Sequence, residues 1–290
     1  MNKRMGEVFK ELRLSRGITL EEATGDFFSI SQLSKFENGF SDITSAKLLH
    51  SLDAITVNLE EFVFMINEYK PPFFEELGMK LKSIHNKQDI QTLTTLYHQE
   101  KELAIYGKYQ KFHALNSIVI ATMINKLDSS FPVSEIAIKK LSDYLFSVSY
   151  WGYYELFLVL SSCMQIKIDL LISFANEMLK RTEYYQDISK NRNIILKILI
   201  NTLNRCSENS KFNEARKFIK IITKKIEDES ELHIKSMFLY AKGFHQVKIG
   251  NQEKGKQMMK DVIEIFHKLD CPYLEKLYKD DYVAMFKEEL

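Results

Sequence analysis

The chain has 290 residues, enough for about two domains of ordinary size. Hydrophobic residues make up 45% and charged residues 27%, as in soluble proteins that bury apolar cores, and the formal net charge of +1 indicates nothing about partners by itself. Ten glycines and four prolines are few for this length, which argues against sandwiches and barrels and favours long helices.

The cysteines and the apolar segments bear on the compartment. Cys163, Cys206 and Cys271 are far apart and form no metal-binding or redox spacing, which is typical of a reducing cytoplasm. The N-terminal stretch is amphipathic and charged, so no export signal is expected. No run of about 18 apolar residues is present, so no membrane span is expected. We therefore expect a cytoplasmic protein with no membrane partner, and cysteines that are buried by packing.

Five short helical patterns occupy residues 1–66, and turn residues separate them. The second pattern begins at Thr19. Glu22, three residues later, completes a capping box, which is a reciprocal pair of hydrogen bonds that closes a helix N-terminus. Ser29 and Gln32 repeat this spacing at the start of the third pattern, which ends at an Asn-Gly pair.

The helical pattern breaks at Pro71 and Pro72, because proline lacks an amide donor and restrains the residue before it. We predict an N-terminal domain over residues 1–66, a linker over 67–75 that includes a helix restart, and a second domain over 76–290.

The second domain shows one apolar-periodic segment after another, with short connections between them. Helix starts recur at intervals of roughly 33 to 45 residues, a range that brackets tetratricopeptide and related repeats. The predicted fold class is therefore all-α. The predicted helices of this domain lie at about 89–104, 108–127, 134–147, 152–164, 167–182, 190–207, 212–227, 231–249, 252–268 and 273–288.

Two strings resemble a known family. LRLSRGITLEEATGDFFSISQLSKFENG, at 12–39, resembles the helix-turn-helix of the phage-repressor class, in the form carried by Rgg-type regulators of Gram-positive bacteria. WGYYELFL, at 151–158, resembles the start of the helical domain of those regulators. The chain length is similar too. The resemblance implies a five-helix helix-turn-helix domain followed by a tetratricopeptide-like helical repeat domain, and it implies that Arg13 and Glu37 form a buried ion pair.

The third helix has the composition of a recognition helix, which reads bases in the major groove of double-stranded DNA. Leu33 and Phe36 supply an apolar anchor, and the polar residues of the helix project away from it. Gln and Lys can pair with adenine or guanine edges, whereas Ser suits phosphates. The candidate DNA-binding residues are Arg16, Ser31, Gln32, Ser34, Lys35 and Asn38.

The charge of this module argues against tight binding by a single copy. Up to residue 65 the chain has seven basic and ten acidic residues, a formal charge of −3. Proteins that approach phosphates are usually basic. The DNA-binding hypothesis therefore requires that the basic residues gather on one face, and that a homodimer reads a pseudo-palindromic operator.

The second domain, about 215 residues long, exceeds what dimerisation alone requires. Stacked helix pairs form a concave surface that suits an extended peptide, whose backbone groups side-chain amides can satisfy. Arg192 and Lys197 can meet a peptide carboxylate. The resemblance implies a short signalling peptide as ligand, because Rgg-type regulators respond to secreted peptides that re-enter the cell in quorum sensing. The candidate peptide-binding residues are Tyr153, Arg192, Asn193, Lys197, Asn201 and Asn204.

Two alternatives stay open at this stage. One is a protein-interaction adaptor whose helical repeats hold a protein partner, and the other is a regulator that responds to a small metabolite. The string GNQEKGKQ approaches a phosphate-binding loop, but Gln257 replaces the hydroxyl that would bind magnesium, and a turn between paired helices explains its glycines better. Catalytic and metal-binding signatures are absent from the sequence, so we expect no enzyme activity, no cofactor and no metal.

Overall fold

The computed structural model describes residues 2–70, 73–182, 188–226 and 228–288, and every regular element within these ranges is an α-helix. The chain divides into two compact units, Met1–Ser83 and Ile84–Leu290. Pro71 and Pro72 lie outside the described residues, so the predicted linker at 67–75 stays a prediction. The helices up to the end of the first unit are α1 (Asn2–Ser15), α2 (Leu20–Thr24), α3 (Ile30–Glu37), α4 (Ser45–Ala54), α5 (Leu59–Ile66) and α6 (Phe73–Asn86), the last of which ends just beyond the unit.

The predicted helices of the second domain are confirmed, with boundaries that shift by at most two residues where both ends are described. Residue 227, the predicted end of one helix, lies outside the described residues, as do residues 183–187, which separate two predicted helices. The observed helices are α7 (Ile90–Tyr106), α8 (Gln110–Leu127), α9 (Glu135–Ser147), α10 (Tyr153–Ser162), α11 (Ile168–Arg181), α12 (Ser189–Glu208), α13 (Phe212–Lys225), α14 (Leu232–Lys248), α15 (Gln252–Lys268) and α16 (Pro272–Phe286).

Local hydrogen bonds start the short helices of the first unit. The capping box of α2 forms as predicted: Thr19 Oγ1 accepts from the Glu22 amide at 3.1 Å, and Glu22 Oε2 accepts from the Thr19 amide at 2.7 Å. At α3 only half of the predicted box forms. Ser29 caps the Gln32 amide, but the Gln32 side chain instead accepts from Lys47 of α4 at 2.8 Å. The Lys47 ammonium therefore takes the place that the Ser29 backbone amide would have in a complete capping box.

One apolar core holds the first unit together. Phe9 of α1, Leu33 of α3, Leu52 of α4 and Phe62 of α5 are essentially inaccessible to solvent and belong to a single cluster. Each of these residues lies on the apolar stripe of its helix, so burial of the stripe fixes which face of α3 points outward.

The second unit is organised around a continuous row of helices. Helices α8, α10, α12 and α14 pack against one another in this order, and the odd-numbered helices from α9 to α15 pack against members of the row. Composition explains this division. Helix α12 buries 11 of its 20 residues, whereas α13 buries three of 14 on a single stripe. A helix that is apolar on most faces belongs between neighbours on several sides.

Two glycines have different roles where α14 and α15 meet. Gly250 has a φ of +101° in the turn between them, a conformation that side chains disfavour. Gly255 lies inside α15, where a Cβ atom would stand 2.5 Å from the Gly243 carbonyl oxygen of α14. The turn predicted from this string is correct for Gly250, while Gly255 permits the close approach of the two helices.

The WGYYE string fixes the start of α10. Trp151 is fully buried, and its ring nitrogen donates to the Leu145 carbonyl at 3.1 Å. Glu155 accepts from the Gly152 amide at 3.0 Å and from the Tyr144 hydroxyl at 2.6 Å. Within this string, Trp151 is therefore a core residue, and Glu155 closes the first turn of α10.

Burial of the cysteines follows the expectation in part, since Cys163 and Cys206 are buried and Cys271 is half-exposed.

Among the described helices, none combines the length and the apolar content that crossing a membrane requires.

Candidate functional site

Helix α3 is anchored by its apolar side and by an ion pair. Leu33 and Phe36 are 0% and 3% exposed. The Arg13 guanidinium donates to both carboxylate oxygens of Glu37, at 2.6 and 2.7 Å, and both residues are buried. This confirms the ion pair that the resemblance implies. Glu37 is the acidic residue of α3, so the exposed face of this helix carries no carboxylate.

The other side of α3 presents the predicted DNA-binding residues to solvent. Ser31, Gln32 and Lys35 are exposed, Ser34 is partly exposed, and Asn38 follows at the exposed end of the helix. Arg16 is exposed beyond the end of α1, where it donates to the Leu12 carbonyl at 3.1 Å.

Two further lysines, which sequence reasoning did not include, flank this face. Lys10 of α1 donates to the Asn38 side chain at 3.0 Å, and Lys47 of α4 donates to the Gln32 side chain at 2.8 Å. With Lys35, three lysines surround a helix face without carboxylates, despite the acidic balance of the module. The sequence contains these lysines but no local signal that brings them to α3, because the contacts span 28 and 15 residues.

Four of the predicted peptide-binding residues, three asparagines and a lysine, lie on one narrow strip of α12. Asn193, Lys197, Asn201 and Asn204 are all partly exposed, while the residues between them are mostly buried. Their spacing of four, four and three residues keeps them on one helical face. Between Asn193 and Asn204, the strip is therefore the part of α12 that the helix row leaves accessible.

A pocket of about 170 Å³ lies at the C-terminal end of this strip, between α12, α14, α16 and the end of α10. Asn201 and Asn204 both line it. The Asn201 amide donates to the Cys163 sulfur at 3.5 Å, and Asn204 Oδ1 is buried with no hydrogen-bond partner among the described residues. The lining consists of Met164, Asn201, Asn204, Arg205, Glu208, Tyr240, Phe244, Asp281 and Met285.

Arg205 is a pocket residue that sequence reasoning missed. Its guanidinium donates to the Cys163 and Met164 carbonyls at 3.0 and 2.6 Å, which satisfies the C-terminal end of α10. A sequence signal existed, because Arg205 follows Asn204 directly and lies four residues after Asn201.

Two carboxyl groups border the same pocket. Burial raises the pKa of the Glu208 carboxyl and that of the Asp281 carboxyl above their ordinary values. Asp281 Oδ2 accepts from the Tyr240 hydroxyl at 2.9 Å. Tyr240 of α14 and Asp281 of α16 are 41 residues apart in the sequence, so only the fold brings them together.

The remaining candidates lie elsewhere. Arg192 donates to Glu231 at 2.9 Å and to the Lys225 carbonyl, so a carboxylate of the chain itself already occupies its guanidinium. Tyr153 is half-buried at the first turn of α10. Neither residue lines the pocket, and neither do Asn193 and Lys197.

The architecture is that of a helix-turn-helix module joined to a tetratricopeptide-like repeat domain. Residues 81–280 match the family described as HTH-type transcriptional regulator Rgg, C-terminal domain. The match spans more than half of the chain, and the protein belongs to the Rgg family of transcriptional regulators.

Solved structures agree with this assignment. The chain is similar to the SHP pheromone receptor Rgg2 of Streptococcus dysgalactiae, with 26% identity, a TM-score of 0.80, and coverage of 96% of this chain and 99% of Rgg2. A putative transcriptional regulator from Listeria monocytogenes EGD-e shares the fold at 20% identity and TM-score 0.81, with all of both chains covered. A bacterial peptide pheromone/receptor complex shares the fold at 12% identity and TM-score 0.69, with 99% of each chain covered.

Proposed function

We propose that this regulator binds double-stranded DNA through α3 and that a short signalling peptide, bound along α12, controls it. Residues 1–66 are assigned the DNA-binding role, and residues 76–290 the roles of ligand binding and homodimerisation, with 67–75 as the linker. Similarity to a pheromone receptor over nearly the whole chain supports a peptide-responsive regulator.

The exposed face of α3 supports the DNA-binding role. Gln32 and Lys35 are exposed on a helix whose opposite side is rigidly packed, and such side chains can reach base edges in the major groove. Lys10 and Lys47 bring positive charge to both flanks of the helix. Ser31, Ser34, Asn38 and Arg16 are assigned to phosphates. The net acidic charge of the module argues that two copies act together on a pseudo-palindromic operator.

The pocket at Asn201 and Asn204 is the observation that carries the peptide-binding role. It lies at the end of an accessible polar strip on a helix that buries 11 of its 20 residues. Asn204 Oδ1 is buried and finds no hydrogen-bond partner in the described parts of the chain, an arrangement that costs about 1–3 kcal/mol until a ligand or a solvent molecule satisfies the amide. Asn193 and Lys197 extend the polar strip toward the N-terminal end of α12, and Tyr153 of α10 belongs to the same row of helices.

Two measurements on the full-length protein test this proposal. Selection from random double-stranded DNA is expected to yield an inverted repeat, and native mass spectrometry of protein purified from its own host is expected to reveal a bound peptide. A bound metabolite in place of a peptide would support the small-molecule alternative. A co-purifying protein together with no DNA selected would support the adaptor alternative. Either result overturns the proposed function.

A further inference from the structure

In the pocket at the end of α12, carboxylate acceptors are more available to a ligand than cationic donors are. Its cation, Arg205, is held by the Cys163 and Met164 carbonyls and lies 3.5 Å from a Glu208 carboxylate oxygen. The Tyr240 hydroxyl donates a hydrogen bond to Asp281 Oδ2 at 2.9 Å, and the Tyr278 carbonyl oxygen is a second acceptor at 3.2 Å. The guanidinium and hydroxyl donors that border the pocket are therefore occupied, while the carboxylates keep acceptor capacity.

Asp281 is the least compensated of these groups. No described cation forms an ion pair with it, and its hydrogen-bond partner, Tyr240, is neutral. Its side chain is exposed on one side, yet the surrounding protein raises the pKa of the carboxyl. Glu208 differs, because the charges of Arg205 and Lys248 act on it. A ligand cation would therefore gain most beside Asp281.

Apolar groups complete the pocket around these carboxylates. Tyr240 and Phe244 contribute aromatic rings, and Met164 and Met285 contribute flexible thioethers. Aromatic faces attract cations within about 6 Å, and thioethers adapt to alkyl chains of different shape. Lys248 already lies 5.2 Å from the centre of the Phe244 ring, so the Tyr240 side of the pocket is the freer one.

We infer that this pocket binds a positively charged group of the peptide, either its N-terminal ammonium or a Lys or Arg side chain, beside the Asp281 carboxylate. The inference rests on the proposed function, and it assigns a place to the cationic group of the ligand. This group lies at Asp281, and the rest of the peptide extends along α12 past Asn204 and Asn201 toward Lys197. A peptide that has a blocked N-terminus and no Lys or Arg lacks the group that this end of the site selects.

The test uses three pools of synthetic heptapeptides, randomised among Gly, Ala, Val, Leu and Ile. The first pool has a free N-terminal amine, the second is N-acetylated, and the third is N-acetylated and carries one Lys at a random position. Each pool is offered to the full-length protein, and mass spectrometry measures what is retained. We expect the first and third pools to be retained about tenfold better than the second, the effect of one ionic contact.

Substitutions at Asp281 make the test specific. Asp281→Asn retains an acceptor for Tyr240 but removes the charge, and it should abolish the preference for cationic pools. Asp281→Lys should shift the preference to an acetylated pool that carries one Glu. Asp280→Asn, at an exposed neighbouring position outside the pocket lining, is the matched control and should behave like the unmodified protein.

The outcomes distinguish failure of the cation pocket from failure of the peptide-binding function. Equal retention of all three pools, or an unchanged preference in Asp281→Asn, overturns the cation pocket while the peptide-binding function stands. Retention of no peptide from any pool overturns both.

Discussion

Arg13 and Glu37 join α1 to the end of α3 through two parallel hydrogen bonds of 2.6 and 2.7 Å, in a site that solvent barely reaches. The Arg13 guanidinium also donates to the Ile18 carbonyl at 2.7 Å, so one side chain fixes both α3 and the turn after α1. The pair therefore sets the orientation of α3 and removes an acidic charge from its surface.

Removal of one partner should destabilise the protein rather than affect DNA contacts alone. Arg13→Ala leaves the Glu37 carboxylate buried without a counter-ion, and breaking such pairs costs about 3–5 kcal/mol. Urea unfolding of the first unit within the full chain measures this loss. Lys80→Ala, at an exposed position in α6, should leave stability unchanged. Equal stability of Arg13→Ala and the unmodified protein would contradict this structural role.

The exposed face of α3 should show the opposite behaviour. Gln32→Ala combined with Lys35→Ala should abolish sequence-specific DNA binding with little change in thermal stability, because both side chains are exposed. Each base contact of this kind is worth about 1–3 kcal/mol. Footprinting on the selected operator provides the measurement. Wild-type affinity in the double variant would show that another face enters the groove.

The lysines that flank α3 should act differently from the residues on it. Lys10→Ala and Lys47→Ala should weaken binding to all DNA sequences about equally, and each should reduce the salt dependence of binding by about one unit of slope. Titrations at several salt concentrations measure both effects. A loss confined to the selected operator would instead assign these lysines to base recognition.

Local signals predicted much of this fold, and long-range contacts account for what they missed. N-caps and short polar turns mark helix starts such as Ser134, and the apolar spacing of α12 leaves its amide strip accessible. By contrast, Gln32 takes its partner from α4 and Arg192 takes Glu231 from 39 residues away. The pocket wall at Asp281 also depends on a contact between distant helices. Periodicity identifies which face is buried, but it does not identify the neighbour.

Peptide affinity should depend on the amides of α12. Asn201→Ala should lower the affinity for the retained peptides by about 1–3 kcal/mol, if a buried peptide group loses its partner. Asn209→Ala, at the exposed end of the same helix, is the control. Arg192→Ala should mainly reduce stability, because the guanidinium is held by Glu231. Isothermal titration calorimetry of the three variants decides. Unchanged affinity in Asn201→Ala would move the site toward Tyr153.

The carboxyl at Asp281 should carry a pH signature in the ligand-free protein. Because burial raises its pKa in the folded state, the folded protein holds the proton more tightly than the unfolded chain does. The resulting stabilisation is fully present below the ordinary carboxyl range of about 4 and is lost as the pH rises through the raised pKa. At neutral pH we therefore expect the ionised carboxylate to cost stability, and a bound ligand cation to offset that cost. Asp281→Asn should raise the melting temperature at pH 7, and this gain should disappear near pH 4. Over the same interval, cationic peptides should lose affinity for the unmodified protein as the pH falls. Thermal unfolding and titration calorimetry at both pH values measure these two trends. A lower melting temperature for Asp281→Asn at pH 7 would mean that the charge already has a stabilising partner inside the fold.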